Sequence, residues 1–171
     1  MRQADRLTQI LASYGSYHRD PRNRRTHYFG VPVIIYAVLV PLALAAQTVL
    51  GTTLRLDRIV VAVAAVGYIL LDVGLGFSLA LALALLAAAA EATSALGVTA
   101  ALAVAVAAFF LGWALQLLGH RLEGNRPALL TNLAQIFVAP LFLAAELGFS
   151  LGLRASLRAG IERQLGERPS M

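Results

Sequence analysis

The chain contains no cysteine and no lysine among its 171 residues. The absence of cysteine excludes disulfide bonds and thiolate metal sites. All 14 basic residues are therefore arginines, and against nine acidic residues they give a net charge of +5. Many of the arginines flank apolar runs, a pattern typical of orientation by the positive-inside rule and of contact with anionic lipid. We expect membrane lipid, and no nucleic acid, as a partner.

Polar residues are also scarce. The chain is 59% hydrophobic with a mean hydropathy of +0.74, whereas an ordinary soluble domain is about 45–50% apolar. Several runs of about eighteen or more apolar residues indicate membrane spans. The arginine-rich first thirty residues lack the apolar core and cleavage site of a signal peptide. We predict one integral membrane domain over 1–171, with a cytoplasmic segment over 1–30, membrane helices over 31–151 and an amphipathic tail over 152–171.

The periodicity predicts an all-α bundle of four to five transmembrane segments between amphipathic helices at both ends. Asp20 followed by Pro21 indicates a helix N-cap and first turn. The predicted helices cover residues 3–18, 21–28, 31–50, 58–73, 75–92, 98–118 and 128–151, followed by the amphipathic tail. Asp72 and two nearby glycines divide one long apolar run into a tight helical hairpin.

Arginines lie in the N-terminal segment, in the loop after His120 and in the tail. All three regions should therefore be cytoplasmic. A full fifth span would place the tail outside, so we interpret 128–151 as a broken, partly re-entrant segment. These assignments predict a multi-pass protein whose termini and histidines face the cytoplasm.

The three histidines, His18, His27 and His120, all lie beside predicted membrane boundaries. Neutral imidazole is the commonest protein metal ligand. Nine residues separate the first two, which fits a helix, a turn and a second helix folding back rather than one helix face. The three rings form a hypothetical metal site. The alternative is that they only form hydrogen bonds at the interface.

Glu123 follows His120 by three residues, and Gln116 precedes His120 by one helical turn. A carboxylate at this spacing can share a metal or orient the imidazole. It can equally pair with a nearby arginine. Gly112 and Gly119 form a narrow strip where another helix can approach closely.

Glu146 lies inside the last apolar segment, where an ionisable residue suggests a functional role. Gln135 is eleven residues away, about three turns, so both face one way if the kink at Pro140 is mild. The alternative is a hydrated carboxylate at the interface. Asn132 belongs to the same polar cluster.

These polar positions together resemble one family, that of the fungal endoplasmic-reticulum 2-hydroxy fatty acid dioxygenase. The resemblance covers about residues 8–150. Its signature positions are Tyr14, His18, Asn23, His27, Gly30, Pro32, Gln116, Gly119, His120, Glu123, Pro127, Ala128, Asn132, Pro140, Phe142 and Glu146.

The resemblance implies an Fe(II)-dependent enzyme that uses O2 to shorten a 2-hydroxy fatty acid by one carbon, without 2-oxoglutarate. It implies that His18, His27 and His120 hold the iron, and it makes Glu123, Asn23 and Glu146 candidates for supporting roles at the site. The alanine- and leucine-rich, lysine-free composition suggests a bacterial member, which would lie in the inner membrane.

Three histidines suffice for a facial ligand set with open positions for O2 and substrate. They are too few for the histidine-rich di-iron site of membrane desaturases. A 2-hydroxy acid can chelate iron through its carboxylate and hydroxyl oxygens. The arginines that could hold its carboxylate are Arg19, Arg24, Arg25 and Arg126. The competing hypotheses are a non-enzymatic lipid-binding or scaffold protein and a small transporter, although no inverted repeat is visible. Homo-oligomer formation stays open.

Overall fold

A computed structural model describes residues 3–49, 52–124 and 135–166. The elements in chain order are α1 (Gln3–Gly15), α2 (Pro21–Leu44), β1 (Ala46–Val49), β2 (Thr52–Arg55), α3 (Leu56–Leu71), α4 (Val73–Ser94), α5 (Val98–Glu123), α6 (Gln135–Ser150) and α7 (Ala155–Gly166). The all-α fold predicted from the sequence is confirmed, with one short antiparallel hairpin added. In this hairpin Ala46 pairs with Arg55 and Val49 pairs with Thr52.

Helix α2 begins where the sequence predicts a cap. The Asp20 side chain accepts a hydrogen bond from the Arg22 main-chain N–H at 2.8 Å, and Pro21 takes the first turn, where a helix needs no N–H donor. The helix then continues for 24 residues to Leu44. The prediction of a separate short helix over 21–28 was therefore wrong, and the segment carrying His27 is continuous with the first membrane helix.

The predicted end of the first span was also wrong. We expected the span to run over 31–50, but α2 ends at Leu44 and strand β1 follows directly. The Ala45 main-chain N–H still bonds back to the carbonyl of Leu42 at 3.2 Å, which closes the last turn. The β1–β2 hairpin thus forms the connection at the end of α2 remote from the histidines.

Helices α3 and α4 form the predicted antiparallel hairpin. The backbone is extended at Asp72, whose side chain accepts a hydrogen bond from a main-chain N–H of α4 at 2.9 Å. Gly76 is required for the close approach, because a Cβ there would lie 2.5 Å from a main-chain nitrogen of α3. At the other end of the hairpin Arg58 pairs with Glu91. The prediction from Asp72 and its neighbouring glycines is confirmed.

Helices α2 and α5 pack against each other through glycines. A Cβ added at Gly30 would lie 3.1 Å from the carbonyl oxygen of Gly112, and one at Gly112 would lie 2.6 Å from the Ile34 side chain. A Cβ at Gly119 would collide with the side chain of Asn23. The predicted glycine strip on α5 is confirmed. It brings His120, the next residue, against the start of α2.

Three helices of the described ranges, α2, α4 and α5, are long and apolar enough to cross a membrane. Helices α6 and α7 are bent by 116° at their junction, and this pair counts as a fourth span only if it is one broken span. Helix α3 is shorter, with 16 residues. Large apolar side chains on the outer faces stay exposed, for example Val63 on α3 and Phe110 on α5, as expected of surfaces that face lipid.

Residues at the start of helix α6 and just beyond its end both contact one end of the α3–α4 hairpin. The Tyr68 hydroxyl donates to the carbonyl oxygen of Phe137 near the start of α6, at 2.9 Å. Arg154, just beyond the end of α6, pairs with Asp72. Tyr68 and Asp72 are about one helical turn apart, so both contacts lie near the same end of the hairpin. The re-entrant interpretation of 128–151 stays a prediction, and residues 128–134 lie outside the described residues.

The amphipathic helix α1 packs on the C-terminal helices. Its apolar face, including Leu7, Leu11 and Tyr14, belongs to one buried cluster with Phe142 of α6 and Ile161 of α7. A Cβ at Gly15 would lie 3.2 Å from the Phe142 ring. These contacts fix the end of α1 and so the position of the turn that carries His18.

Candidate metal centre

His18 lies in the turn between α1 and α2 and is buried. Its ring stacks on that of Tyr14, with centroids 4.1 Å apart and planes 4° from parallel. Its Nδ1–H donates to the Tyr14 carbonyl oxygen at 2.9 Å, a carbonyl near the end of α1. This hydrogen bond assigns the tautomer and leaves Nε2 as the free ligand atom.

His27 lies in the second turn of α2 and is equally buried. Its Nδ1–H donates to the Asn23 carbonyl oxygen at 2.9 Å. The same tautomer follows, so Nε2 again carries the lone pair. The two histidines are thus oriented in the same way, each by the carbonyl four residues before it. Such a hydrogen bond from the second ring nitrogen is typical of metal-binding histidines.

The Nε2 atoms of His18 and His27 face each other at 3.2 Å. Burial lowers the pKa of His18 to about 4, so its ring is uncharged at neutral pH. Both Nδ1–H groups are engaged, which leaves two lone pairs directed at each other. Two lone pairs cannot form a hydrogen bond, but both can bind one cation. The pair is therefore suited to a metal ion.

His120 completes the cluster from the last turn of α5. Its ring centroid lies 5.0 Å from those of both other histidines. Its Nδ1 is buried without a hydrogen-bond partner among the described residues. A buried polar atom without a partner is unfavourable, and coordination would satisfy the ring.

One ligand nitrogen from each ring lies within 4.8 Å of the others. Metal–imidazole bonds of about 2.1 Å place adjacent ligand nitrogens about 3 Å apart in a facial set. The pair 3.2 Å apart already has that spacing. All three rings are at most 5% exposed. Three imidazoles without cysteine suit iron, zinc, copper or nickel, so these residues fit a metal.

Glu123 does not contact the histidines in the way the sequence suggested. We expected it to ligate the metal or to orient His120. Instead its carboxylate accepts hydrogen bonds from the main-chain N–H groups of Arg19 at 2.8 Å and Asp20 at 2.9 Å. It lies outside the group of three histidines that could hold a metal ion. Glu123 therefore fixes the turn after His18 from the end of α5.

Asn23 links this carboxylate to the histidines. Its Nδ2–H donates to Glu123 at 3.0 Å, while its carbonyl oxygen accepts from His27. The side chain is fully buried, and its Oδ1 has no partner among the described residues. Asn23 thus holds α5 against α2 at the level of the rings.

Glu146 pairs with Arg24, so it lies beside the site without touching a histidine ring in any described contact. Arg24 also donates to the Arg19 carbonyl oxygen at 3.1 Å. The ion pair connects α6 to the first turns of α2. Pairing with an arginine compensates the charge of this carboxylate inside an apolar segment.

A small pocket of about 120 Å³ opens next to the three rings. Trp113 and Gln116 line it from α5, and Gln135 lines it from α6. The indole N–H and both amide oxygens are buried without partners among the described residues. Sequence reasoning missed Trp113. Its spacing could have identified it from the sequence, because residues 113, 116 and 120 lie on one face of a helix.

The structure describes only some of the other residues that were expected at the site. Arg19 and Arg25 are exposed, and Arg24 is engaged by Glu146. Arg126 and Asn132 lie outside the described residues, as do the signature positions 127 and 128.

The apolar helices and the buried three-histidine cluster define an all-α membrane protein with a candidate metal centre. A family model described as "2-hydroxy-palmitic acid dioxygenase Mpo1-like" matches residues 4–151. The chain belongs to this Mpo1-like family of enzymes, as the resemblance in the sequence implies.

A curated relative agrees with this assignment. The chain is 31% identical over 161 residues to the 2-hydroxy-palmitic acid dioxygenase MPO1 of Saccharomyces cerevisiae. The match covers 93% of this chain and 89% of the yeast protein. No solved structure matches the chain.

Proposed function

We propose that this protein is an Fe(II)-dependent dioxygenase that converts a 2-hydroxy fatty acid and O2 into the fatty acid one carbon shorter. The buried cluster of His18, His27 and His120 carries the proposal, because its lone pairs are arranged for a metal. The yeast relative is named for oxidation of 2-hydroxy-palmitic acid, which supports a substrate of this class.

The reaction is balanced without a second reductant. If the lost carbon leaves as carbon dioxide, a 2-hydroxy acid and one O2 yield the shorter acid, carbon dioxide and water. The carbon skeleton gives up four electrons, and O2 accepts four. The enzyme therefore needs no 2-oxoglutarate and no reducing partner.

Iron(II) would supply open positions at which O2 and the two oxygens of the 2-hydroxy acid can meet. The chain's own residues determine which atoms meet there. The three histidines would hold the ion from one side, with Glu123 and Asn23 fixing the turn and helix that carry two of them.

The pocket beside the rings suits the polar end of the substrate. The Trp113 indole N–H can donate to a carboxylate oxygen, and the Gln116 and Gln135 side chains can accept from the hydroxyl. Ile34 and Ile136 add apolar side chains to the lining of this pocket. This environment strengthens polar contacts to the bound acid.

We further propose that the site lies near the cytoplasmic face of the membrane. The turn around His18 and the first turn of α2 carry Arg19, Arg22, Arg24 and Arg25, and arginine near span ends favours the cytoplasm.

Reconstitution tests the function. Purified protein is depleted of metal, loaded with Fe(II) without oxygen, and then mixed with O2 and 2-hydroxyhexadecanoic acid. We expect pentadecanoic acid, detected by mass spectrometry, and bound iron in stoichiometric amount. His120→Ala should lose both, while Glu162→Gln, an exposed carboxylate on α7, should retain both.

The contrary outcome favours a lipid-binding or scaffold protein. Under that hypothesis the histidines bind no metal, and protein mixed with iron, O2 and the acid yields no shorter product.

A further inference from the structure

A second, larger groove runs between α2, α4 and α6. Its volume is about 550 Å³, within the size range of small-molecule sites. Its side chains are apolar except Tyr28, Ser78 and Arg154. Leu147 and Leu151 on its rim stay more than half exposed, so the groove opens sideways toward the surroundings of the bundle.

The groove adjoins the histidine pocket. Val31 and Ile35, one turn apart on α2, line both spaces. On α6 the neighbours Ala139 and Pro140 line the pocket and the groove respectively. The two spaces therefore share part of their aliphatic lining. A molecule with a polar head in the pocket can therefore extend an apolar tail into the groove.

We propose that this groove holds the alkyl chain of the substrate while the 2-hydroxy acid group lies at the histidines. This inference rests on the proposed function and specifies a single-chain, long-chain acid. Arg154, which also lines the groove, is already paired with Asp72, so no second anion is needed beside it. The acidic head is thus assigned to the histidine pocket.

The length of the groove agrees with a long chain. Its lining on α4 runs from Gly74 to Leu86, a span of twelve helical rises or about 18 Å. A saturated chain advances about 1.3 Å per carbon, from a C–C bond of about 1.5 Å. The groove can thus contact about fourteen carbons. A phospholipid with two chains, or a helix of another protein, would need more space.

Two substitutions halfway along the groove test the proposal. Ser78→Phe on α4 and Ala144→Phe on α6 each place a ring in it. We expect the ratio of turnover on 2-hydroxyhexadecanoic acid to that on 2-hydroxydecanoic acid to fall by at least about tenfold. Ala107→Phe, on an exposed face of α5, is the matched control and should leave this ratio unchanged. Turnover of the short acid shows that each variant is folded.

Photo-crosslinking gives a readout that does not require turnover. Metal-free protein in nanodiscs is labelled with 2-hydroxyhexadecanoic acid that carries a diazirine near the end of its chain. We expect labelled peptides from α4 and α6, and competition by the unlabelled acid.

The two results separate the groove from the function. Competed labelling of α4 and α6 without turnover would retain the groove and remove the proposed reaction. Turnover with an unchanged chain-length ratio in both groove variants, or labelling confined to α5, would overturn the groove.

Discussion

Glu123 offers the sharpest test of how the site is held together. Its carboxylate oxygens accept hydrogen bonds from the main-chain N–H groups of Arg19 and Asp20 and from the side-chain amide of Asn23. The donor–acceptor distances are 2.8 to 3.0 Å. All three donors lie about one hundred residues earlier in the chain. Among the described contacts, this carboxylate therefore provides the main hydrogen-bonded link between the end of α5 and the turn that positions His18.

The change to test is Glu123→Gln, which keeps the shape of the side chain and removes its charge. Asn23 can rotate its amide to suit glutamine, so that contact is restored. The two main-chain donors then bond to a neutral acceptor. Hydrogen bonds to a charged group contribute about 1.5–3 kcal/mol and neutral ones about 0.5–1.5, so the loss is about 1–1.5 kcal/mol for each bond and about 2–3 kcal/mol in total. Each 1.4 kcal/mol is a factor of ten in affinity.

We therefore expect the metal affinity of Glu123→Gln to fall about ten- to a hundred-fold, the range typical of residues that support metal ligands. Anaerobic calorimetric titration with Fe(II), and with Co(II) as a spectroscopic probe, measures the change. The control is Glu162→Gln on α7, a surface carboxylate whose loss should change stability by at most about 0.5 kcal/mol. Metal affinity equal to that of the wild-type protein in Glu123→Gln, or an equal loss in the control, would refute the reasoning.

The remaining predictions concern the other parts of the site and the topology. Replacing any one histidine by alanine should abolish metal binding in a folded, extractable protein; full occupancy would remove that histidine from the ligand set. Glu146→Gln should retain more metal than the variant above yet lose turnover, because its ion pair with Arg24 joins α6 to the site; wild-type turnover would contradict this role. Burial lowers the pKa of His18 to about 4 from an ordinary value near 6.5. Stability of the metal-free protein should therefore be constant above about pH 6.5 and fall between 6.5 and 4, as thermal melts in detergent will show; a flat profile would mean that this ring is not buried uncharged. Since the chain lacks cysteine, Gln9→Cys and Ser156→Cys should both react with a membrane-impermeant maleimide from one side, and Leu96→Cys from the other; labelling from opposite sides at the first two positions would restore a full last span.

The sequence predicted the features that depend on local chemistry. The cap at Asp20, the break at Asp72 and the glycine strip on α5 each follow from what a residue type does to its own backbone or its immediate neighbours. The gathering of the histidines was also foreseen, because all three lie at boundaries expected on one side of the membrane.

The partners of the carboxylates were not predictable in the same way. Glu123 is three residues from His120, and that spacing suggested a direct contact. Its true partners are 100 to 104 residues away in the chain, and only the packing of α5 on α2 brings them near. The continuity of α2 was also missed. Pro32 and Pro41, residues that weaken a helix locally, both lie within α2.

The packing of α1 has a consequence for synthesis. Its apolar face is buried against α6 and α7, yet about 120 residues separate the end of α1 at Gly15 from the start of α6 at Gln135. At about 5–20 residues per second, a ribosome needs about 6–24 seconds to make that intervening chain. During this interval the nascent α1 lacks the α6 and α7 side chains that pack on its apolar face. An amphipathic helix can rest on the lipid surface, so the membrane itself would shelter this face until the last helices emerge and the turn bearing His18 closes over the site.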